Sequence, residues 1–442
     1  MSVFQGMCSK SELDYFTVPP TQSVILDDYV IESRPTDPKS NTLEFIFPSS
    51  SDDFSDLSQC FFKLDLKVTK ANGSAPVHYG PLNTTTGNEP DGDDIDGVPV
   101  SLILHSIFKQ LQLFLNDELV SSELDYGYKA YLTSLFSYSK EVKDTFLFDL
   151  EGYRTDEESK FDNSKQKGVI KTAKKLCKNG RTFQLKGRPY TELCMQSRLI
   201  PSNVKFRFVF TRASDAFCMM SHNEEKYKIV IDKAVMSLRR VKIDPEVQMK
   251  IEKQIAQSGA IFPSQSVVCK TFTIPQGLTD YTIASLFANS EIPSRLLIGQ
   301  LDNKSYTGDY TLNPFHFKHK NLSYCGVTIG GQTFSYDFDF SAKNKVDAYL
   351  NLHQIMGNYP CDYSNGISKS LWESGLTLIA FDLCPDQSHH GDFVSKRREG
   401  SISLKLKWDS GLAENTSLLV IGMFDNSYIM GINRNFTRTV VH

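Results

Sequence analysis

Phe62-Lys63-Leu64-Asp65-Leu66-Lys67-Val68 alternates apolar with charged residues at every step. In an extended chain successive side chains point to opposite faces. Phe62, Leu64, Leu66 and Val68 therefore share one face and Lys63, Asp65 and Lys67 the other, as in a sheet that is wet on one side. Leu43-Glu44-Phe45-Ile46-Phe47 alternates less strictly, with Ile46 as the exception, and 111–115 reads as a strand running into a turn at Asn116-Asp117. Further strands are expected at 204–210, 227–231, 267–274, 295–299, 376–381, 402–408 and 418–424.

The period changes in a few places. Between 123 and 138, Tyr128, Tyr131, Leu132 and Leu135 recur at three- and four-residue steps, which predicts an amphipathic helix. Residues 244–258 carry both ends of a helix: Asp244 as cap, Pro245 at the first helical position, Glu246 in the first turn and Gly259 just past the end. We read this helix as the bridge between two halves. Short helical pieces are expected near 279–288 and 346–356. Many short strands between long loops rich in Asn, Gly and Pro, with no regular strand–helix alternation, predict an all-β chain with short helical insertions, folded as two Greek-key sandwiches.

A chain of 442 residues is long enough for two or three cores. Its 30 Phe and 19 Tyr against 2 Trp suit pleated, half-buried surfaces. The net charge of −4 provides no global attraction to nucleic acid, so any contact with DNA must be local. Nine cysteines, with no C-x-x-C pair and no framework spacing, predict reduced thiols acting as small apolar residues. The first residues lack a basic start followed by an apolar stretch, so no signal peptide is expected. No run approaches the roughly 18 apolar residues of a membrane helix, so no membrane span is expected either.

The P-loop, zinc-protease, nucleophile-elbow and dinucleotide patterns are missing from the sequence. Asp91-Gly92-Asp93-Asp94-Ile95-Asp96-Gly97 could hold Ca²⁺, but no Glu closes the loop at its twelfth position, and it reads as a solvated acidic loop. His389-His390, near Asp386 and Asp392, could form half of a metal site, yet adjacent loop histidines rarely converge on one ion. His105, within an apolar run, reads as a hydrogen-bonded structural histidine. From Lys160 to Arg188 ten basic residues face one acid, Asp162: a patch for packaged DNA or, as we prefer, a solvated loop. N-x-[ST] triplets, among them those at Asn72, Asn83, Asn321, Asn415 and Asn435, carry little meaning without a signal peptide. No catalytic, cofactor-binding or metal-binding residue is assigned.

One resemblance runs through most of the chain. It begins with Leu104-His105-Ser106-Ile107-Phe108, the strand ending Leu115-Asn116, and Tyr126-Gly127-Tyr128-Lys129-Ala130-Tyr131. Arg198-Leu199-Ile200-Pro201 and Phe217-Cys218-Met219 follow. The second half adds Arg295 to Gly299, Asp302-Asn303, Tyr306, Gly308, Tyr310, Asn313-Pro314-Phe315, Ala380-Phe381-Asp382-Leu383 and Asn433-Arg434-Asn435. In order and spacing this set resembles the major capsid proteins of Polinton-like (Maverick or adintovirus-type) DNA viruses. Departures fall in the acidic loop at 87–97, the basic stretch at 160–188 and the His389-His390 loop, where loops are expected.

The resemblance implies two tandem jelly rolls, a double jelly roll. The expected division is an arm at 1–23, a first jelly roll at 24–243, a linker helix at 244–259 and a second jelly roll at 260–442. It also implies a non-enzymatic protein, made in the host cytosol and carried in the virion. Three copies would form a pseudo-hexameric trimer that tiles an icosahedral shell around double-stranded DNA, beside a single-jelly-roll penton protein, with non-specific contact to packaged DNA. The rival reading is an attachment or glycan-binding sandwich in which Tyr306, Tyr310, Phe315 and Tyr324 supply stacking surface. A jelly-roll hydrolase lacks a visible acid pair.

Overall fold

The computed structural model describes residues 22–74, 97–155, 159–160, 177, 180–221, 226–287, 291–338, 345–385 and 398–439. Among them the first half carries β1 (Ile25–Ser33), β2 (Thr42–Phe47), β3 (Phe54–Lys70), β4 (Gly97–Pro99), β5 (Phe108–Leu115), β6 (Glu118–Leu124), β7 (Phe183–Gly187), β8 (Phe206–Arg212), β9 (Met219–Ser221) and β10 (Tyr227–Ile243). The alternating stretch forms the middle of β3, and its apolar face points inward: Phe62, Leu64, Leu66 and Val68 are fully buried. Antiparallel pairing sets Phe62 opposite Met236, Leu64 opposite Ala234 and Leu66 opposite Ile231. Across the sandwich the Phe62 ring lies 5.2 Å from Phe210 of β8 and 6.2 Å from Phe108 of β5.

One sheet has the order β1-β10-β3-β7 and the facing sheet β2-β8-β5-β6, while β4 and β9 pair as a small ribbon. The β5–β6 hairpin turns at Asn116 and Asp117, both at positive φ (48° and 65°). Two consecutive residues of that kind match the twist of the flanking strands, and Asn and Asp tolerate the conformation.

The linker helix spans Pro245–Ser258. Asp244 accepts from the backbone N–H groups of Glu246 (2.9 Å) and Val247 (3.3 Å), and Gly259 ends the helix at φ 72°. Both ends follow the capping signals of the sequence.

The second half repeats the first. Its strands are β11 (Ala260–Ile274), β12 (Asp280–Ile283), β13 (Arg295–Asp302), β14 (Leu322–Ile329), β15 (Gln332–Asp337), β16 (Leu378–Asp382), β17 (Ile402–Trp408), β18 (Thr416–Met430) and β19 (Phe436–Thr439). The sheets run β11-β18-β13-β16, with β19 added beside β18, and β12-β17-β14-β15. Counting the eight long-range strands of each half in chain order, both sandwiches read 1-8-3-6 and 2-7-4-5. That is the eight-stranded jelly roll, present twice.

One expectation is corrected here. Residues 280–283, read as part of a helical piece, form β12, which pairs with β17 as Asp280↔Lys407 through Ile283↔Leu404. Four residues are too few to display a period, and the ladder with β17 decides the conformation. The other helical piece forms as Val346–Ile355 and packs over β16. Residues of β16, and also of β13 and β18, are buried on both faces, so these strands read as continuous apolar runs rather than alternations.

Candidate functional site

Each half folds around its own strands, yet a single buried apolar cluster runs through both, and its crossing point is aromatic. The helix Tyr126–Ser137 of the first sandwich meets a segment that follows β13 in the second. The Phe315 ring stacks on Tyr131 at 4.3 Å between centroids and meets Tyr128 at 5.4 Å and Phe217 at 6.0 Å edge-on. Tyr128 also stacks on Tyr306 at 5.9 Å. Phe315 and Tyr131 are 1% exposed. Ring pairs in such geometry contribute roughly 0.5–1.5 kcal/mol each beyond their buried area.

Asp125, immediately before the helix, binds the two sandwiches together by hydrogen bonds. It accepts from the Tyr306 hydroxyl at 3.0 Å and from the Thr271 hydroxyl at 3.3 Å, both in the second sandwich. Burial raises its carboxyl above the usual range, and these two donors partly offset that shift. Gly308 lets the backbones close up: it sits at φ 103°, and a Cβ there would lie 2.9 Å from Ser214 Oγ and 3.0 Å from Phe217 N. Nearby, the Tyr310 hydroxyl donates to Tyr227 O at 3.1 Å and Asn313 N donates to Ser159 O at 2.9 Å.

Two further clasps flank this seam. Arg434, between β18 and β19, grips Glu252 of the linker helix with its guanidinium at 2.5 and 2.6 Å and donates through Nε to Ser202 O at 3.0 Å. Both contacts to the carboxylate come from one nitrogen, Nη2, a charge-assisted pair rather than a two-nitrogen fork. On the other side Lys143, 1% exposed, donates to Leu135 O and, at 2.8 Å, to Asn365 O in the second half. Burial pulls its ammonium down to about 7, against the favourable field of Asp144. Asn358 donates to Phe136 O at 3.1 Å beside it.

The candidate residues of the sequence divide as follows. His105 is fully buried, with Nδ1 2.8 Å from the Tyr126 hydroxyl and Nε2 3.2 Å from Glu151, the satisfied structural histidine that was expected. Phe315 is buried in the seam, Tyr306 and Tyr310 pack into it half-buried, and Tyr324 on β14 lies half-buried under the Lys407 ammonium. The acidic run at 91–96 and His389-His390 with Asp386 and Asp392 lie outside the described residues. Among the described residues no group of three His, Cys, Asp or Glu is placed to hold a metal ion. Most of the basic stretch also lies outside them, but its last part is ordered sheet. β7 takes in Lys186, whose ammonium sits 5.0 Å from the Phe61 ring. The described cysteines are free, and all but Cys361 are buried. Among the described residues no helix is long and apolar enough to cross a membrane. Asp125, Glu252 and Arg434 leave no local signal in the sequence, because their partners lie 146 or more residues away.

Two jelly rolls of one strand order, joined by a helix and welded along an aromatic seam, define a double jelly-roll protein. That is the fold of viral capsid proteins of known structure. A chain of the Sputnik virophage covers 98% of this chain and 92% of its own at TM-score 0.65 and 14% identity. The capsid of the virus PBCV-1 (97% and 100%, TM-score 0.57, 10% identity) and the mavirus major capsid protein (100% and 95%, TM-score 0.55, 10% identity) are similar to it as well. In sequence it is 24% identical over 405 residues to an uncharacterized protein of Caenorhabditis elegans, spanning 89% of this chain and 92% of that one. No family model matches.

Proposed function

We propose that this chain is the major capsid protein of a Polinton-like (Maverick or adintovirus-type) DNA virus, a non-enzymatic shell component. The single observation that carries this reading is the double jelly roll itself. Two sandwiches of identical strand order held rigidly side by side make each chain two similar wall segments. Three chains then present six similar walls, so a threefold assembly can tile a sixfold lattice. Residues 24–243 and 260–442 are the two wall units, and the linker helix fixes their spacing.

The outer surface supports contact with further copies. Leu26 and Val30 on β1, Met249 on the linker helix and Phe146 are each at least 60% exposed, large apolar side chains available for burial between subunits. Obligate interfaces of this kind commonly exceed about 2,000 Å². In this reading the trimer encloses double-stranded DNA in an icosahedral shell and meets a single-jelly-roll penton protein at the vertices. The mature location is the virion. The glycan-binding alternative is not favoured, because three of its four aromatic residues, Tyr306, Tyr310 and Phe315, pack in the seam.

Light scattering coupled to size-exclusion chromatography tests the proposal. A trimer of about 150 kDa, three times the 49.9 kDa chain, with hexagonal outlines in negative stain, is expected. A stable monomer at micromolar concentration, giving no capsomers or particles, would overturn it.

A further inference from the structure

Beside the linker helix the surface opens into a groove of about 620 Å³. Ile251 and Ile255 of the helix, Phe54, Leu199 and Ile243, and Ile261 of β11 line it. Phe54, Val241 and Ile243 form a small buried cluster separate from the main core, with Ile25, Leu199 and Ile251 only partly covered above it. This is an apolar core left open on one side, with room for several large side chains.

From these features we infer that the groove receives this chain's own N-terminal arm. The inference does not depend on the capsid reading. Residues 1–21 lie outside the described residues, and the described chain begins at the rim of the groove: Gln22 to Ile25 form its lip. The arm carries the right chemistry next to that point. Leu13, Tyr15, Phe16 and Val18 place four apolar residues within six, followed by Pro19-Pro20, which favours an extended approach. Residues 13–18 are four to nine positions from Gln22, a reach of roughly 13–30 Å at ~3.3 Å per residue. The 14-residue linker helix that walls the groove is about 21 Å long. Charge agrees as well. Glu12 and Asp14 flank Leu13 ahead of Tyr15, Phe16 and Val18, and Arg198, exposed on the groove, reaches the rim strand by donating to Ile261 O at 2.6 Å. A tether this short gives the arm an effective concentration in the millimolar range, which favours its own groove over that of a separate molecule.

Disulfide trapping in the full chain tests this. Thr17→Cys and Gln254→Cys would be combined with Cys8→Ser and Cys361→Ser, then mildly oxidised. Thr17 and Gln254 are polar, and Gln254 is exposed, so the fold should survive these changes. The expected product is an intrachain link that runs at monomer mass and is independent of dilution. Adding Phe16→Asp should reduce its formation by about tenfold or more, from loss of one buried aromatic. Hydrogen exchange of the amides at 251–258 should accelerate in the Phe16→Asp chain. A link at dimer mass would overturn the proposal in favour of arm exchange between copies. The absence of a link, together with unchanged exchange, would overturn it in favour of another occupant or an empty groove.

Discussion

Replacing Phe315 by Ala should uncouple the two sandwiches. The ring is 1% exposed and touches Tyr128, Tyr131 and Phe217, all from the first half, so truncation opens a cavity at the seam itself. A buried Phe→Ala change costs about 3–5 kcal/mol, and the three ring contacts place this site towards the upper part of that range. Both tryptophans, Trp372 and Trp408, are buried in the second half, so their fluorescence reports that sandwich alone while circular dichroism reports both. In urea, with the chain dilute and at fixed concentration, the two signals should coincide for the parent protein. In Phe315→Ala they should separate, with an overall loss of at least about 3 kcal/mol. Tyr363→Ala, at a 52% exposed position, serves as control and should change stability by less than about 0.5 kcal/mol. A loss below about 1 kcal/mol for Phe315→Ala, with the two signals still coincident, would refute the view that the aromatic seam holds the halves together.

Other expectations concern particular buried groups. Burial, aided by Lys318 and opposed by Asp302, lowers His316 to about 4, below the ordinary 6.5. The unfolded chain therefore binds the extra proton first: stability from this group is full above pH 6.5 and declines as pH falls towards 4, by about 3 kcal/mol at most. His316→Gln should flatten that part of a stability-against-pH curve measured in urea, and an unchanged slope would show that His316 is not its source. Lys129 and Glu123 form a buried ion pair at 2.6 Å, each side chain 5% exposed. Lys129→Met should cost about 3–5 kcal/mol at pH 7, and adding Glu123→Gln should recover most of it. Because burial already raises Glu123 against the pull of Lys129, the penalty should shrink as pH is lowered through that raised value, which a melting series would detect. Gly308→Ala combines positive φ with a Cβ pressed against Phe217 N, and should lower stability by about 1–3 kcal/mol in the same urea assay.

How much of this could be read in advance depended on how each strand is covered. β3 and β17 alternate because one face is wet, and both were legible, β17 to the residue. β13, β16 and β18 are covered on both faces; their apolar runs marked strands but said nothing of which face met which layer. β7 was hidden because its Phe183-Gln184-Leu185-Lys186-Gly187 lies at the end of a basic run. β1, β12, β14 and β15 carry mixed or short patterns, and β12 was read as helix. The rival stacking site failed for a related reason. Exposed and buried tyrosines look alike in a sequence, and only packing revealed that Tyr306 and Phe315 face Tyr128 and Tyr131.

The amino-acid order by itself determined what is local. Alternation set the faces of the clearest strands, Asp244-Pro245 and Gly259 set the ends of the linker helix, and two like halves emerged from the spacing of strand-like runs. Tertiary structure alone decided which distant segments meet: β1 against β10, Phe315 on Tyr131, Arg434 on Glu252, and an open apolar groove beside the helix. The reason is physical. Side-chain period and capping act over a few residues, whereas the pairing of faces is settled by the burial of the whole chain at once.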